Sequence, residues 1–145
     1  MYSDNQHIKE PIGWIMSKLS KFLLGELQHR LADLDISRSY YPLLLIDSRT
    51  QMTQQELAYE LSCDKVQVVR IVDYLSSKGY VERVIDPNDR RKHQLIVTGK
   101  ARKVIPEIKN VVNDLLNISF QGFSPEQVDL LYEMLENMER NLISK

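Results

Sequence analysis

Cysteine, histidine and glycine are all scarce in this 145-residue chain, and each scarcity removes a class of protein. A single cysteine, Cys63, excludes an intrachain disulfide framework and fits a reducing compartment. The three histidines, His7, His29 and His93, are scattered, and Cys63 has neither a His nor a second Cys at metal-ligand spacing, so no metal site is expected. The five glycines form no phosphate-cradling loop. No nucleophile, base and orienting group come together in the pattern. The expectation is therefore a protein that is not an enzyme, with no catalytic residue and no cofactor. His29 reads as a structural or surface residue of a helix, and Glu126, Asp129, Glu133, Glu136 and Glu139 read as the solvated face of the last helix.

Long apolar runs are missing too. Nothing approaches the roughly 18 residues that span a bilayer, and the start carries no signal-peptide pattern, so a soluble cytoplasmic protein without a membrane partner is expected. A hydrophobic content of 43% is enough to build a buried core in one domain of this length. A net charge of −1 argues, taken alone, against a nucleic-acid partner. The distribution argues the other way. From Asp64 to Lys103 there are ten Lys or Arg against five Asp or Glu, a surplus of +5, while the rest of the chain has nine against 15, or −6. A basic lobe displaces counterions from phosphates while an acidic remainder stays off the duplex.

That basic lobe coincides with the most informative stretch, Met52 to Gly99. Thr53 followed by Glu56 is a capping box, and Leu57, Ala58 and Leu61 give the helix after it one apolar face. Ser62-Cys63-Asp64 breaks it. Asp64 with Gln67 caps a second helix, which Gly79 closes in a left-handed conformation. The stripe Val68, Ile71, Val72 and Leu75 faces the core at spacings of three and four. Lys65, Val66, Gln67, Val69, Arg70, Asp73 and Tyr74 lie off it, on the side that a recognition helix offers to a major groove.

In that setting Gln67 suits adenine and Arg70 suits guanine or a phosphate. Val66 and Val69 have two readings: contact with thymine methyl groups, or plain packing, as a core stripe broader than four residues or a contact with the wing. After Gly79 the period changes to two, with Tyr80 to Ile85 and His93 to Val97 as strands joined by Asp86-Pro87-Asn88-Asp89-Arg90-Arg91-Lys92. This is a hairpin with a basic tip, and Met52 adds a short third strand beside it. Two capped helices followed by such a hairpin make a winged helix-turn-helix.

The flanks are helical. Ile12, Ile15, Met16, Leu19, Phe22, Leu23, Leu27 and Leu31 define a long amphipathic helix from Pro11 to about Ala32, with Pro11 in its first turn. Tyr40 to Ile46 forms a short helix, and Pro42 makes Ser39 a better cap than Ser37. Thr98 caps a further helix to about Phe120, in which Pro106 should introduce a kink. Lys100, Arg102 and Lys103 crowd its first turns against the helix dipole, which makes sense beside a phosphate. Ser124, Pro125 and Gln127 start the last helix, with Leu131, Met134, Leu135, Met138 and Leu142 along one face. The apolar surface at the two ends exceeds what the central unit can cover, and a symmetric dimer is the economical explanation.

The run "MTQQELAYELSCDKVQVVRIVDYLSSKGYVERVIDPNDRRKHQLIVTGKARKV" resembles the DNA-binding core of the MarR family, the multiple-antibiotic-resistance regulators. The resemblance rests on "Q-E-L-A", on "V-R-I-V-D-Y-L" before "K-G-Y-V-E-R", on the wing "D-P-N-D-R-R" and on "V-T-G-K" opening the next helix. It implies a mainly α fold with a small β wing, a winged helix-turn-helix carried between long N- and C-terminal dimerisation helices. Residues 36–103 would be the DNA-binding lobe of a single domain, with 1–35 and 104–145 dimerising. It implies a homodimeric regulator on a pseudo-palindromic duplex, most often a repressor. Arg91 would enter the minor groove, with Asp89 as the wing carboxylate that holds a neighbouring Arg.

Lys65, Arg90, Lys92 and Lys100 would meet phosphates, and Val66, Gln67, Val69 and Arg70 bases, with Tyr74 on the same surface. The family usually has small polar residues where this chain has Val66 and Val69, a departure that bears on the identity of the operator. It often binds small aromatic or phenolic ligands between dimer helices and DNA-binding lobe. Trp14, Met16, Tyr40 and Tyr41 are the candidate lining here, with ordinary packing as the alternative.

Cys63 also has two readings. The positive end of the recognition-helix dipole and Lys65 could lower its thiol pKa and make it a redox sensor, or it is a small buried hydrophobe. Thiol-sensing members of the family usually carry the reactive cysteine in the N-terminal region, which this chain does not. A different class of function also stays open: a winged-helix module for protein interaction, with the off-stripe valines and Tyr74 as partner surface.

Overall fold

Three of the six helices among the described residues begin on a reciprocal side-chain cap that the sequence spells out. In each of Thr53/Glu56, Asp64/Gln67 and Ser124/Gln127 the first side chain accepts from the backbone N–H of the second residue, and the second side chain accepts from the backbone N–H of the first. These boxes satisfy donors that a helix start otherwise leaves to water. The computed structural model describes residues 9–145, which leaves His7 outside the described residues. The elements run α1 (Ile12–Arg30), α2 (Tyr40–Ser48), β1 (Met52–Thr53), α3 (Gln54–Glu60), α4 (Lys65–Ser77), β2 (Val81–Ile85), β3 (His93–Val97), α5 (Gly99–Ser119) and α6 (Pro125–Ile143). The fold is mainly helical with one small antiparallel sheet, as expected for a winged helix.

The chain divides into two compact units, Met1–Val111 and Val112–Lys145. In the first, β1 and β2 both pair with β3, in the order β1-β3-β2. Met52 lies opposite Leu95, Val81 opposite Val97 and Ile85 opposite His93. Met52, Leu95, Val81 and Val97 are buried, and so are Val68, Val72 and Leu75 of α4, with Leu57 of α3. Those residues hold the recognition helix and the wing in one core, at about 1.5–3 kcal/mol for each large apolar side chain taken out of water.

The end of α4 shows how local chemistry fixes the next element. Gly79 adopts φ 76°, its N–H donates to the Ser76 carbonyl at 2.9 Å, and the Tyr80 N–H donates to the Leu75 carbonyl at 3.0 Å. This is a Schellman closure, with buried Tyr80 and Leu75 supplying its apolar contact. It turns the chain into β2.

In the second unit, the Phe120 ring meets Phe123 at 5.9 Å and Tyr132 at 6.2 Å between centroids, closing the α5–α6 turn. No residue of α6 is buried, and Leu130, Met134 and Leu142 are about half exposed or more.

Some expectations need correction. Ser39 occupies the cap position of α2 but its side chain makes no capping bond; it is buried, and its backbone lies at φ −122°, ψ 6° rather than in the extended region of a usual cap. Pro11 stands one residue before the first turn of α1, as the N-cap residue. The stripe of α4 is also broader than four residues in one respect: Val69 is half-buried, whereas Val66 is 62% exposed.

Candidate nucleic-acid interface

Successive residues of a helix turn by about 100°, so α4 has a buried side and three outward sectors. Val68, Val72 and Leu75 face the core. Val66, Arg70 and Asp73 point directly away from it. Lys65 and Val69 flank the wing, and Gln67, Ile71 and Tyr74 flank the connector between α1 and α2. The surroundings agree with that geometry. Lys65 and Val68 line a cleft of about 330 Å³ with Gln54, Gln55, Arg91 and Lys92, so α3, the start of α4 and the end of the wing share one basic concavity.

The wing is held by its own acids. Asp86 Oδ1 accepts from the Asn88 N–H at 2.8 Å, and the Asp86 and Lys92 backbones close the loop at 3.0 Å. Asp89 Oδ1 accepts from the Arg91 backbone N–H at 3.0 Å and from its Nε at 3.2 Å. These bonds from Arg91 hold the Asp89 carboxyl below the usual carboxylate range. The Arg91 side chain stays 91% exposed, so it is aimed without being covered. Arg90 and Lys92 are exposed on the same loop.

Arg83, not among the sequence-predicted site residues, ties wing to helices. It sits on the inward face of β2 opposite Leu95. From there its Nη2 pairs with Asp73 Oδ1 at 2.7 Å and its Nε donates to Gln54 Oε1 at 3.0 Å. Period-two alternation places a charged side chain at an inward position there, and that misfit was the available signal.

Gln67 is partly committed. Its Oε1 accepts from the Asp64 N–H at 3.1 Å, leaving its amide N–H₂ as the free end. Arg70 is exposed and lines two grooves on the connector side of α4. Tyr74 is half-buried, with its hydroxyl donating to the Asp35 carbonyl and its ring 5.5 Å from Lys78 Nζ. Lys100 is used within the lobe: its Nζ donates to the Lys78 carbonyl at 2.7 Å and lies 5.1 Å from the Tyr80 ring centroid. The cation that opposes the dipole of α5 thus sits at the negative end of α4.

Cys63 does not have the lowered thiol pKa that the helix dipole and Lys65 suggested. Burial pushes the thiol up, and the neighbouring Asp64 carboxylate adds to the rise. The capping acid brings a negative charge to the very end where the dipole is positive. Tyr41 lines a groove of about 570 Å³ with Arg38, Cys63, Gln67 and Arg70, and Trp14 is 66% exposed on α1. No cluster of His, Cys, Asp and Glu among the described residues could hold a metal ion, and no helix among them is long and apolar enough to cross a membrane.

A capped helix pair, a basic wing and a shared cleft define a winged helix-turn-helix protein. The profile of the MarR family matches residues 39–93, from the residue before α2 to the first residue of β3. The fold as a whole is that of MarR-family transcriptional regulators. A MarR transcriptional regulator from Methanosarcina mazei is 27% identical with a TM-score of 0.80, covering 94% of this chain and 99% of its own. A mutant MarR from E. coli complexed with operator DNA is 27% identical with a TM-score of 0.77, over 88% and 93% of the two chains. At 17% identity, Bordetella bronchiseptica BpsR shares the fold, with a TM-score of 0.79 over 94% and 98%.

Proposed function

We propose that this chain is a DNA-binding transcriptional regulator of MarR type, acting as a homodimeric repressor on a pseudo-palindromic operator. The observation that carries the proposal is the cleft in which Lys65 of the recognition helix faces Arg91 and Lys92 of the wing. Two segments far apart in sequence present cations on one concave surface, a suitable footprint for a phosphate backbone beside a groove. Operator DNA bound to the E. coli neighbour supports the same partner.

Base contacts fall to Val66, Gln67, Val69 and Arg70. Arg91 takes the minor groove with Asp89 orienting it, and Lys65, Arg90 and Lys92 take phosphates. Lys100 and Tyr74 act from behind, through the end of α4 and the connector. The exposed apolar residues of α1 and α6, among them Phe22, Leu19 and Leu142, favour a dimer that covers them. Control by a small aromatic ligand has as its support BpsR, a protein of this fold whose DNA binding is regulated by 6-hydroxynicotinic acid.

Exposed Val66 favours one competing reading, a winged helix whose recognition surface meets a protein. Selection of bound duplexes from a random pool separates the two. A symmetric consensus that binds more weakly as salt rises is the expected result, and recovery of no duplex above background removes DNA binding.

A further inference from the structure

We infer that Arg38 is a DNA-backbone contact, forming with Arg70 a second basic rim on the flank of α4 opposite the wing cleft. The inference rests on the DNA-binding function proposed above and adds a side to it. Two neighbouring grooves, of about 470 and about 570 Å³, run along that flank, and Arg38, Arg70 and Ile71 line both. The second groove extends to Ser62, Cys63 and Gln67, so it opens at the end of α4 that is offered to the bases.

Arg38 and Arg70 are exposed, and neither has an ion pair or side-chain hydrogen bond among the described residues. The acids beside them are engaged elsewhere: Asp73, three residues on from Arg70 in α4, pairs with Arg83 Nη2 at 2.7 Å. Asp35, which lines the smaller groove, pairs through Oδ2 with Lys78 Nζ at 3.2 Å, and its carbonyl accepts from the Tyr74 hydroxyl. Two arginines thus keep their charge available at one edge, which is the arrangement a phosphate oxygen satisfies.

The mounting is rigid. Arg38 stands between Ile36 and Ser39, 1% and 6% exposed, and the Ser39 N–H donates to the Ile36 carbonyl at 2.9 Å. Just before them Asp35 holds φ 48°, a conformation tied down by Tyr74 and Lys78. A side chain projected from an anchored turn loses less freedom on binding than one on a loose loop. A recognition helix in a major groove about 12 Å wide has a phosphate strand on each side. The wing cleft serves one strand, and Arg38, on the rim it shares with the base-reading Arg70, serves the other.

The test is salt-dependent binding of the full chain to its selected duplex, with a parallel series in which single phosphates are replaced by neutral methylphosphonates. Arg38→Gln is expected to reduce the slope of log K against log salt by about 1.8 for the dimer, about 0.9 for the one phosphate that each protomer meets. It should weaken specific and non-specific duplexes alike, and Arg38→Lys should restore most of the slope. One methylphosphonate position that weakens wild type should no longer weaken Arg38→Gln. An unchanged slope, or an affinity loss with every backbone position still sensitive, overturns the inference while wild-type binding leaves the proposed function intact. If wild type itself shows no salt-dependent duplex binding, the proposed function fails first and takes the inference with it.

Discussion

Arg83 of β2 and Asp73 of α4 are joined by an ion pair of 2.7 Å, and that pair neutralises the only acidic residue within the recognition helix. Asp73 points outward with Val66 and Arg70, where a bare carboxylate would repel a phosphate strand. Arg83→Gln should therefore act in two ways. It loses a partly exposed pair, about 1 kcal/mol at most, and it releases a negative charge on the DNA-facing side. Urea unfolding reads the first effect and fluorescence anisotropy with duplex reads the second. Affinity should fall by more than the stability change explains, and adding Asp73→Asn should recover part of it. Recovery of nothing would leave Arg83 as a packing residue only.

Gln67 caps α4 in the structure and reads a base in the proposed function, and one substitution can separate the two. Its oxygen caps the start of α4 while its N–H₂ remains the group available to a base. Gln67→Glu keeps an acceptor for the Asp64 N–H and places a favourable charge at a helix start, so the melting temperature should hold or rise slightly. The lost donor should relax base preference at one position of each half-site. Gln67→Ala should lose both, with about 1 kcal/mol of stability gone along with the missing half of the cap. Equal base preference in wild type and Gln67→Glu would remove Gln67 from the reading surface.

These assignments also show which features the sequence carries openly. The capping boxes at Thr53, Asp64 and Ser124, the left-handed Gly79 and the alternation of β2 and β3 are local: each depends on residues within a few positions, and all stand in the structure as expected. What no local pattern carries is long in sequence and short in space. Lys78 reaches Asp35 across 43 positions, Lys100 reaches the Lys78 carbonyl across 22, and Arg83 reaches Gln54 across 29. No periodicity reports such pairs, because they are decided by how elements pack. Ser39 illustrates the reverse case, where a good local cap signal lost to burial of the side chain.

The Asp89–Arg91 bonds make a prediction about pH. The folded carboxyl lies below the usual value of about 3.9. A depressed carboxyl contributes favourable free energy above its unfolded pKa and loses it as pH falls through the folded value. The wing should thus keep its Arg91 orientation through mildly acidic conditions and lose it only in stronger acid. An NMR titration of the Asp89 side chain should give a midpoint below that of an ordinary aspartate, and Arg91→Ala should move it upward. A midpoint unaffected by Arg91→Ala would mean that the arginine is not what orders this loop.

Cys63 supplies the last test, because its surroundings now argue against the role that its position in the chain suggested. Thiolate is the species that reacts with peroxide, and both burial and the Asp64 carboxylate disfavour it. Lys65 brings one positive charge to the same turn, but Asp64 as N-cap is covalently adjacent to the cysteine and holds its oxygen 2.8 Å from the Gln67 N–H, at the end of the dipole. The thiol should alkylate more slowly at neutral pH than an exposed cysteine in a peptide. Asp64→Asn keeps a capping oxygen while removing the charge, so it should speed alkylation without unfolding α4. Peroxide should shift operator binding of wild type and Cys63→Ser equally. A loss of binding confined to wild type would restore Cys63 as a sensor, working through sulfenic acid formed in the turn that positions the recognition helix.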